Sequence, residues 1–124
     1  MTVTDVVAGR RILVVEDEMM IATLIEEVLT TAGYLIVGPV AKLEAAVQLA
    51  RSESLDGAVL DVTIRGGQVF PVADILRERG IPFLLSSGYG DWALPEAFRG
   101  QTLLQKPFTS TELATAVEAL CPLQ

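Results

Sequence analysis

Short unbroken apolar runs alternate along this chain with stretches in which apolar residues recur every third or fourth position. Ile12-Leu13-Val14-Val15 is such a run, and after it Ile21, Leu24, Ile25, Val28 and Leu29 fall on one helical face that stops at Gly33. Leu35-Ile36-Val37 is a second run, stopped by Gly38-Pro39, and Leu43, Ala46, Val47 and Ala50 repeat the helical spacing. Ala58-Val59-Leu60 precedes the helical trio Val72, Ile75 and Leu76; Phe83-Leu84-Leu85 and Leu103-Leu104 are the remaining runs. Between Gly88 and Gly100 only Asp91 to Arg99 has helical potential, and Pro95 interrupts it, so a turn or two starting near Pro95 is expected. The last helix is better marked. Thr109 with Glu112 makes a capping box, and Leu113, Ala116, Val117 and Leu120 form its inward face.

The pattern is strand then helix, five times over, with no linker between repeats. Strands apolar on both faces need cover on both faces, which predicts an α/β fold with a parallel sheet sandwiched by helices. Five strands are too few for a closed barrel of this type, so an open, doubly wound five-stranded sheet with a short or irregular fourth helix is expected. Residues 1–10 show no periodicity and are expected to form a flexible tail, leaving 11–124 as one domain. A chain of 124 residues can close one well-buried core but not two.

Composition narrows the function. Sixteen acidic side chains against nine basic ones give a net charge of -7, which argues against a general affinity for nucleic acid or anionic lipid. There is no histidine, so a His-based triad, a histidine zinc site and a phosphohistidine carrier are excluded within the chain. The single cysteine, Cys121, reads as a small apolar residue near a frayed C-terminus and leans towards a reducing compartment. No apolar run approaches the roughly 18 residues of a membrane span, and Met1 to Arg11 lacks a secretory signal. A cytoplasmic location away from membranes is expected.

In an open sheet of this kind the active crevice lies beyond the carboxyl ends of the strands. The first run ends in Glu16-Asp17-Glu18, the third in Asp61, the fourth in Ser86-Ser87-Gly88 and the fifth in Gln105-Lys106-Pro107; the second ends in Gly38-Pro39, which carries no chemistry. Each polar residue alone has a plainer reading. An Asp closing a strand is commonly a turn former, Asp17 and Glu18 suit the positive end of a helix, and a Lys before Pro is commonly solvated. Acids, hydroxyl and amine arriving together at one edge do not fit that account.

Two carboxylates about 5 Å apart repel by roughly 3 kcal/mol at an effective dielectric near 20. Glu16, Asp17 and Asp61 brought together therefore raise a pKa or recruit a cation, and an all-oxygen set suits Mg²⁺. With the metal present Asp61 stays ionised as a nucleophile able to form an acyl phosphate, and Lys106 shares the transferred group's charge.

Four motifs in this order resemble the receiver domain of two-component response regulators, CheY-like proteins, over about Arg11 to Leu120. They are Ile12-Leu13-Val14-Val15-Glu16-Asp17-Glu18, Val59-Leu60-Asp61-Val62, Leu85-Ser86-Ser87-Gly88 and Lys106-Pro107-Phe108 running into Thr109. The resemblance implies the flavodoxin-like strand order 2-1-3-4-5 and assigns roles. Asp61 is the phospho-acceptor; Mg²⁺ is held by Asp17, by Glu16 through water, by Asp61 and by the backbone carbonyl of Thr63. Ser87 is the switch hydroxyl, with Ser86 its rival, and Lys106 pairs with the phosphoryl oxygens across a cis Lys106–Pro107 bond. Glu18 and Thr63 lie where they tune self-hydrolysis, and Leu103 stands at the switch-aromatic position, so the usual aromatic rotamer switch has no ring to turn.

The resemblance also implies phosphorelay partners: a sensor histidine kinase or histidine phosphotransfer protein as donor and an unidentified downstream protein as target. The Ser87-Gly88-Tyr89-Gly90 segment and the absent aromatic are similar to a group of stand-alone receivers of alphaproteobacteria, which implies a single-domain regulator that signals by docking or drains phosphoryl groups. It is expected to be a signalling domain and not a turnover enzyme. The rival is a receiver-fold adaptor that works without phosphorylation. A dehalogenase-type phosphatase is disfavoured because its nucleophile ends the first strand, and a flavin carrier because acids stand where a phosphate-cradling loop would follow strand one.

Overall fold

The computed structural model describes residues 9–123. In chain order its strands are β1 (Arg11–Val15), β2 (Leu35–Val40), β3 (Gly57–Asp61), β4 (Thr63–Ile64), β5 (Gly67–Gln68), β6 (Phe83–Ser87) and β7 (Leu103–Gln105). Its helices are α1 (Met19–Thr31), α2 (Leu43–Ser52), α3 (Phe70–Glu78) and α4 (Ser110–Leu120). Five strands run parallel in the order β2-β1-β3-β6-β7, which is 2-1-3-4-5 when this sheet alone is counted. The open, doubly wound sheet expected from the apolar runs is observed, in the flavodoxin-like strand order that the resemblance implied.

Two apolar layers hold it. Leu13, Leu60 and Leu85 pack with Ala46 and Ala50 of α2 and Val72 and Leu76 of α3 on one face. Ile12, Val14, Val59 and Leu84 pack with Ile25 and Leu29 of α1 and Leu113 and Val117 of α4 on the other. Successive strand residues point to opposite faces, so the unbroken apolar runs feed both layers. α4 begins as its sequence predicts: Thr109 Oγ1 accepts from the Glu112 N–H at 3.0 Å, and Glu112 Oε1 accepts from the Thr109 N–H at 2.8 Å.

Several details differ from the expectation. β2 does not stop at Gly38-Pro39 but continues to Val40, with a register shift opposite Leu13 and Val15. Gly38 has φ +100, and a Cβ there would meet the Val14 carbonyl at 2.9 Å, so only glycine carries the strand through. Lys106–Pro107 is cis, as expected, and Gly38–Pro39 is cis as well. β4 and β5 form an antiparallel hairpin that the pattern did not announce, turning at Arg65 and Gly66, the latter with φ +99. In place of a fourth helix stand two 3-10 turns, Asp91–Ala93 and Glu96–Phe98, pinned by buried Leu94 and by Phe98 stacked 4.7 Å from Phe70.

The C-terminal end of α4 is not frayed at Cys121. That residue is buried, its carbonyl accepts from the Tyr34 hydroxyl at 2.8 Å, and its thiol approaches the Asp56 carbonyl at 3.4 Å. Burial pushes the thiol's pKa up, so it packs as an apolar group. Of the expected tail, residues 1–8 lie outside the described ones. Arg10 accepts from the Leu35 N–H at 2.9 Å and donates from its guanidinium to the Pro122 carbonyl at 3.1 Å. Among the described residues no helix is long and apolar enough to cross a membrane.

Candidate functional site

Register decides what meets at the carboxyl edge of the sheet. Val15 pairs with Leu60, Asp61 with Ser86, and Ser87 with Gln105, so residues 16, 61, 86, 87 and 106 end level with one another. The extension of β2 matters here: the Val40 carbonyl accepts from the Glu16 N–H at 2.9 Å and fixes the backbone where β1 gives way to the loop before α1.

Glu16, Asp17 and Asp61 each offer a carboxylate oxygen, and the three oxygens lie within 4.8 Å of one another. Glu16 is 3% exposed and Asp61 7%, while Asp17 is half-buried and faces the opening. Lys106 Nζ reaches over from the end of β7 to 3.0 Å from Glu16 Oε1 and 3.3 Å from Asp61 Oδ2. The second oxygen of Glu16 accepts from the Glu18 N–H at 3.1 Å, whereas Oε1 is buried with an ionic contact but no aligned hydrogen-bond donor.

One ammonium does not neutralise this cluster. Burial, then the charge of Glu16 and a hydrogen bond with it, push the Asp61 carboxyl up to about 7 against the opposing pull of Lys106. Burial pulls the Lys106 ammonium down, but the contacts with Glu16 and Asp61 outweigh it and its pKa ends above the usual lysine value. The residues fit a hard divalent cation: three carboxylates, no soft donor, and one buried oxygen lacking a hydrogen bond. Glu16, Asp17 and Asp61 would hold such an ion.

The other candidates stand outside the carboxylate cluster itself. Alternation along β6 puts Ser87 on the α2/α3 face with Leu85, and Ser86 on the α1/α4 face with Leu84. Ser87 Oγ accepts from the Tyr89 N–H at 3.0 Å, and Ser87 lines a cavity of about 260 Å³ with Val62, Thr63, Gln68, Tyr89 and Trp92. Thr63 is exposed at the start of the hairpin, and Glu18 is exposed with its carboxylate outside the cluster. Leu103 packs into the α2/α3 layer on the same face as Ser87. Arg65 was missed by the sequence reading. It borders a cavity of about 320 Å³ that also takes in Glu16, Asp17 and Glu26, and the Gly66-Gly67 pair beside it was the available sign of a turn.

Some solved chains of this architecture are similar in sequence too. SdrG from Sphingomonas melonis Fr1 is 39% identical with a TM-score of 0.78, over 90% of this chain and 95% of that one. The receiver domain of sensor histidine kinase PA1611 from Pseudomonas aeruginosa, which has a magnesium ion coordinated in its active site cleft, is 26% identical with a TM-score of 0.75, over 91% of this chain and 98% of that one. The transcriptional regulatory protein PdtaR of Mycobacterium tuberculosis is 31% identical over 121 residues, 94% of this chain but 59% of its own length. This chain thus spans about half to three fifths of the curated relatives it matches. The family model of the response regulator receiver domain matches residues 12–118, which takes in every strand end described above, and the chain belongs to that family.

Proposed function

We propose that this receiver is a phospho-accepting switch in which Asp61 takes a phosphoryl group from a phosphohistidine on a sensor histidine kinase or histidine phosphotransfer protein. The observation that carries the reading is the convergence of the Glu16, Asp17 and Asp61 oxygens within 4.8 Å of one another, with Lys106 Nζ 3.0 Å from Glu16 and 3.3 Å from Asp61. The Asp61 carboxylate oxygen attacks phosphorus, the phosphorus–nitrogen bond breaks, and the departing imidazole nitrogen takes a proton from solvent. The product is an acyl phosphate. A bound Mg²⁺ supplies charge stabilisation for the transferred oxygens and draws the Asp61 pKa down into the ionised range. Asp17 and the Thr63 carbonyl would be its further ligands in this reading, with Glu16 acting on it through water. Lys106 holds the anionic oxygens from the other side, and Ser87 turns its hydroxyl towards them.

The new group adds about 1.5 to 2 negative charges beside Ser87 and Lys106. Ser87 then leaves its bond to Tyr89, and the segment carrying Tyr89 and Trp92 is the part of the surface that responds. Leu103 offers no aromatic ring to follow it, so the response is read through this segment and α4. Output passes to another protein by docking or by draining phosphoryl groups from a relay, in the cytoplasm, with Glu18 and Thr63 setting the rate of hydrolysis. The test is incubation with phosphoramidate and Mg²⁺, followed by mass spectrometry of the intact protein and its peptides. One acid-labile phosphoryl group on Asp61, absent from Asp61→Asn, is the expected result. No uptake, or full labelling of that variant, overturns the assignment.

A further inference from the structure

Ser86 Oγ is buried with no hydrogen-bond partner, on a residue 1% exposed. A buried hydroxyl left unpaired weakens a fold, and alanine at this position would not carry that cost. Its place in the sheet says what it is near. β6 lies between β3 and β7, and Ser86 pairs with Asp61 on one side and with Leu104 on the other. Adjacent strands are about 4.8 Å apart, so Lys106 must span about 10 Å across the end of β6 to approach Asp61 from the end of β7. Leu84, Val59 and Leu104 pack on the α1/α4 side, and alternation places Ser86, two residues after Leu84, and Lys106, two residues after Leu104, on that side too. The hydroxyl and the Lys106 side chain therefore share one face of the sheet, with the strand that carries Ser86 between the strands that carry Lys106 and Asp61.

We propose that Ser86 is a positioning residue for Lys106, its hydroxyl serving as the acceptor that keeps the ammonium in place when Glu16 turns to a divalent cation. An ammonium has three N–H donors and no acceptor, and both of its contacts here are carboxylates that such a cation also claims. With Glu16 drawn off, the lysine would be short of a partner in a half-buried place. Ser86 Oγ, buried on the same face, has no hydrogen-bond partner. Ser87 is not placed to substitute, since alternation puts its side chain on the opposite face, where its oxygen accepts from the Tyr89 N–H. The two adjacent serines thus divide the work: Ser87 faces the Tyr89 and Trp92 segment, Ser86 steadies the amine. The inference rests on the reading of Glu16, Asp17 and Asp61 as the metal site.

The test is calorimetric titration of the full chain with Mg²⁺ alone, in wild type, Ser86→Ala, Ser86→Cys, Lys106→Met and the Ser86→Ala/Lys106→Met double variant. Ser86→Ala weakens Mg²⁺ binding about tenfold, the loss expected of one hydrogen bond to a charged group. Metal-free Ser86→Ala melts no lower than wild type, which a purely structural role would not allow. Ser86→Cys, near in size but a poor acceptor, follows Ser86→Ala. In the Lys106→Met background the serine substitution changes affinity less than twofold. Wild-type affinity in Ser86→Ala or Ser86→Cys, or an equal loss in both backgrounds, overturns the proposal. Wild-type protein that takes up no Mg²⁺ overturns it together with the metal-site reading. Uptake abolished by Asp17→Ala but untouched by Ser86→Ala overturns this inference alone.

Discussion

Replacing Asp61 with Asn should stabilise the metal-free protein, and increasingly so as pH rises above the value at which the unfolded chain's carboxyl ionises. Folding raises that carboxyl's pKa from 3.8 to about 7. Between those values the native state binds more protons than the unfolded state, so wild-type stability is full below about pH 4 and is lost as pH rises through about 7. A rise of about three units at 1.36 kcal/mol each sets a ceiling of about 4 kcal/mol at pH 8. Water at the mouth of the notch screens part of this, and about half, some 2 kcal/mol, is the expected gain for Asn. Urea unfolding in a chelator, from pH 4.5 to 8, reads it directly. At a slope of 1 to 2 kcal/mol per molar urea, the variant's midpoint should exceed wild type's by about 1 to 2 M at pH 8 and by little at pH 4.5. A variant no more stable than wild type at pH 8, or a gain that does not change with pH, would refute the claim that the cluster is under repulsion relieved by a proton or a cation.

Asp17→Ala removes one of the three clustered carboxylates and should weaken Mg²⁺ binding at least tenfold by calorimetry, whereas Glu18→Ala, which keeps the backbone N–H that serves Glu16, should change it less than twofold. Equal effects would show that the ligand set is misassigned. Tyr34→Phe deletes only the hydroxyl that holds the Cys121 carbonyl and should cost about 1 kcal/mol, seen as a thermal midpoint lower by several degrees; an unchanged midpoint would show that α4 is held by its apolar face alone.

Most of the candidate site could be read from residue order, because the fold places strand ends side by side and the chemistry stands next in line after each apolar run. Glu16, Asp17, Asp61 and Lys106 are all of that kind. The α4 start was readable too, since a capping box is local. What could not be read depends on packing between distant segments. β4 and β5 have two residues each, too few to show a period. Gly38-Pro39 reads as a stop because proline lacks an N–H, yet β2 is an edge strand, where one donor can be spared, and the strand runs on to place Val40 opposite Val15. Cys121 looked terminal because position in sequence says nothing about the Tyr34 hydroxyl across the fold. The contact of Lys106 with Glu16, as well as with Asp61, needed the length of the side chain and the spacing of four strand ends together.

The Arg10 guanidinium and the Pro122 carbonyl, 3.1 Å apart, tie the two ends of the described chain to each other at the amino edge of the sheet. A five-residue strand of roughly 16 Å separates that edge from the acids. A dye attached at Gly9 or at Leu123, the ends of the described residues, sits at that far edge and not beside Asp61.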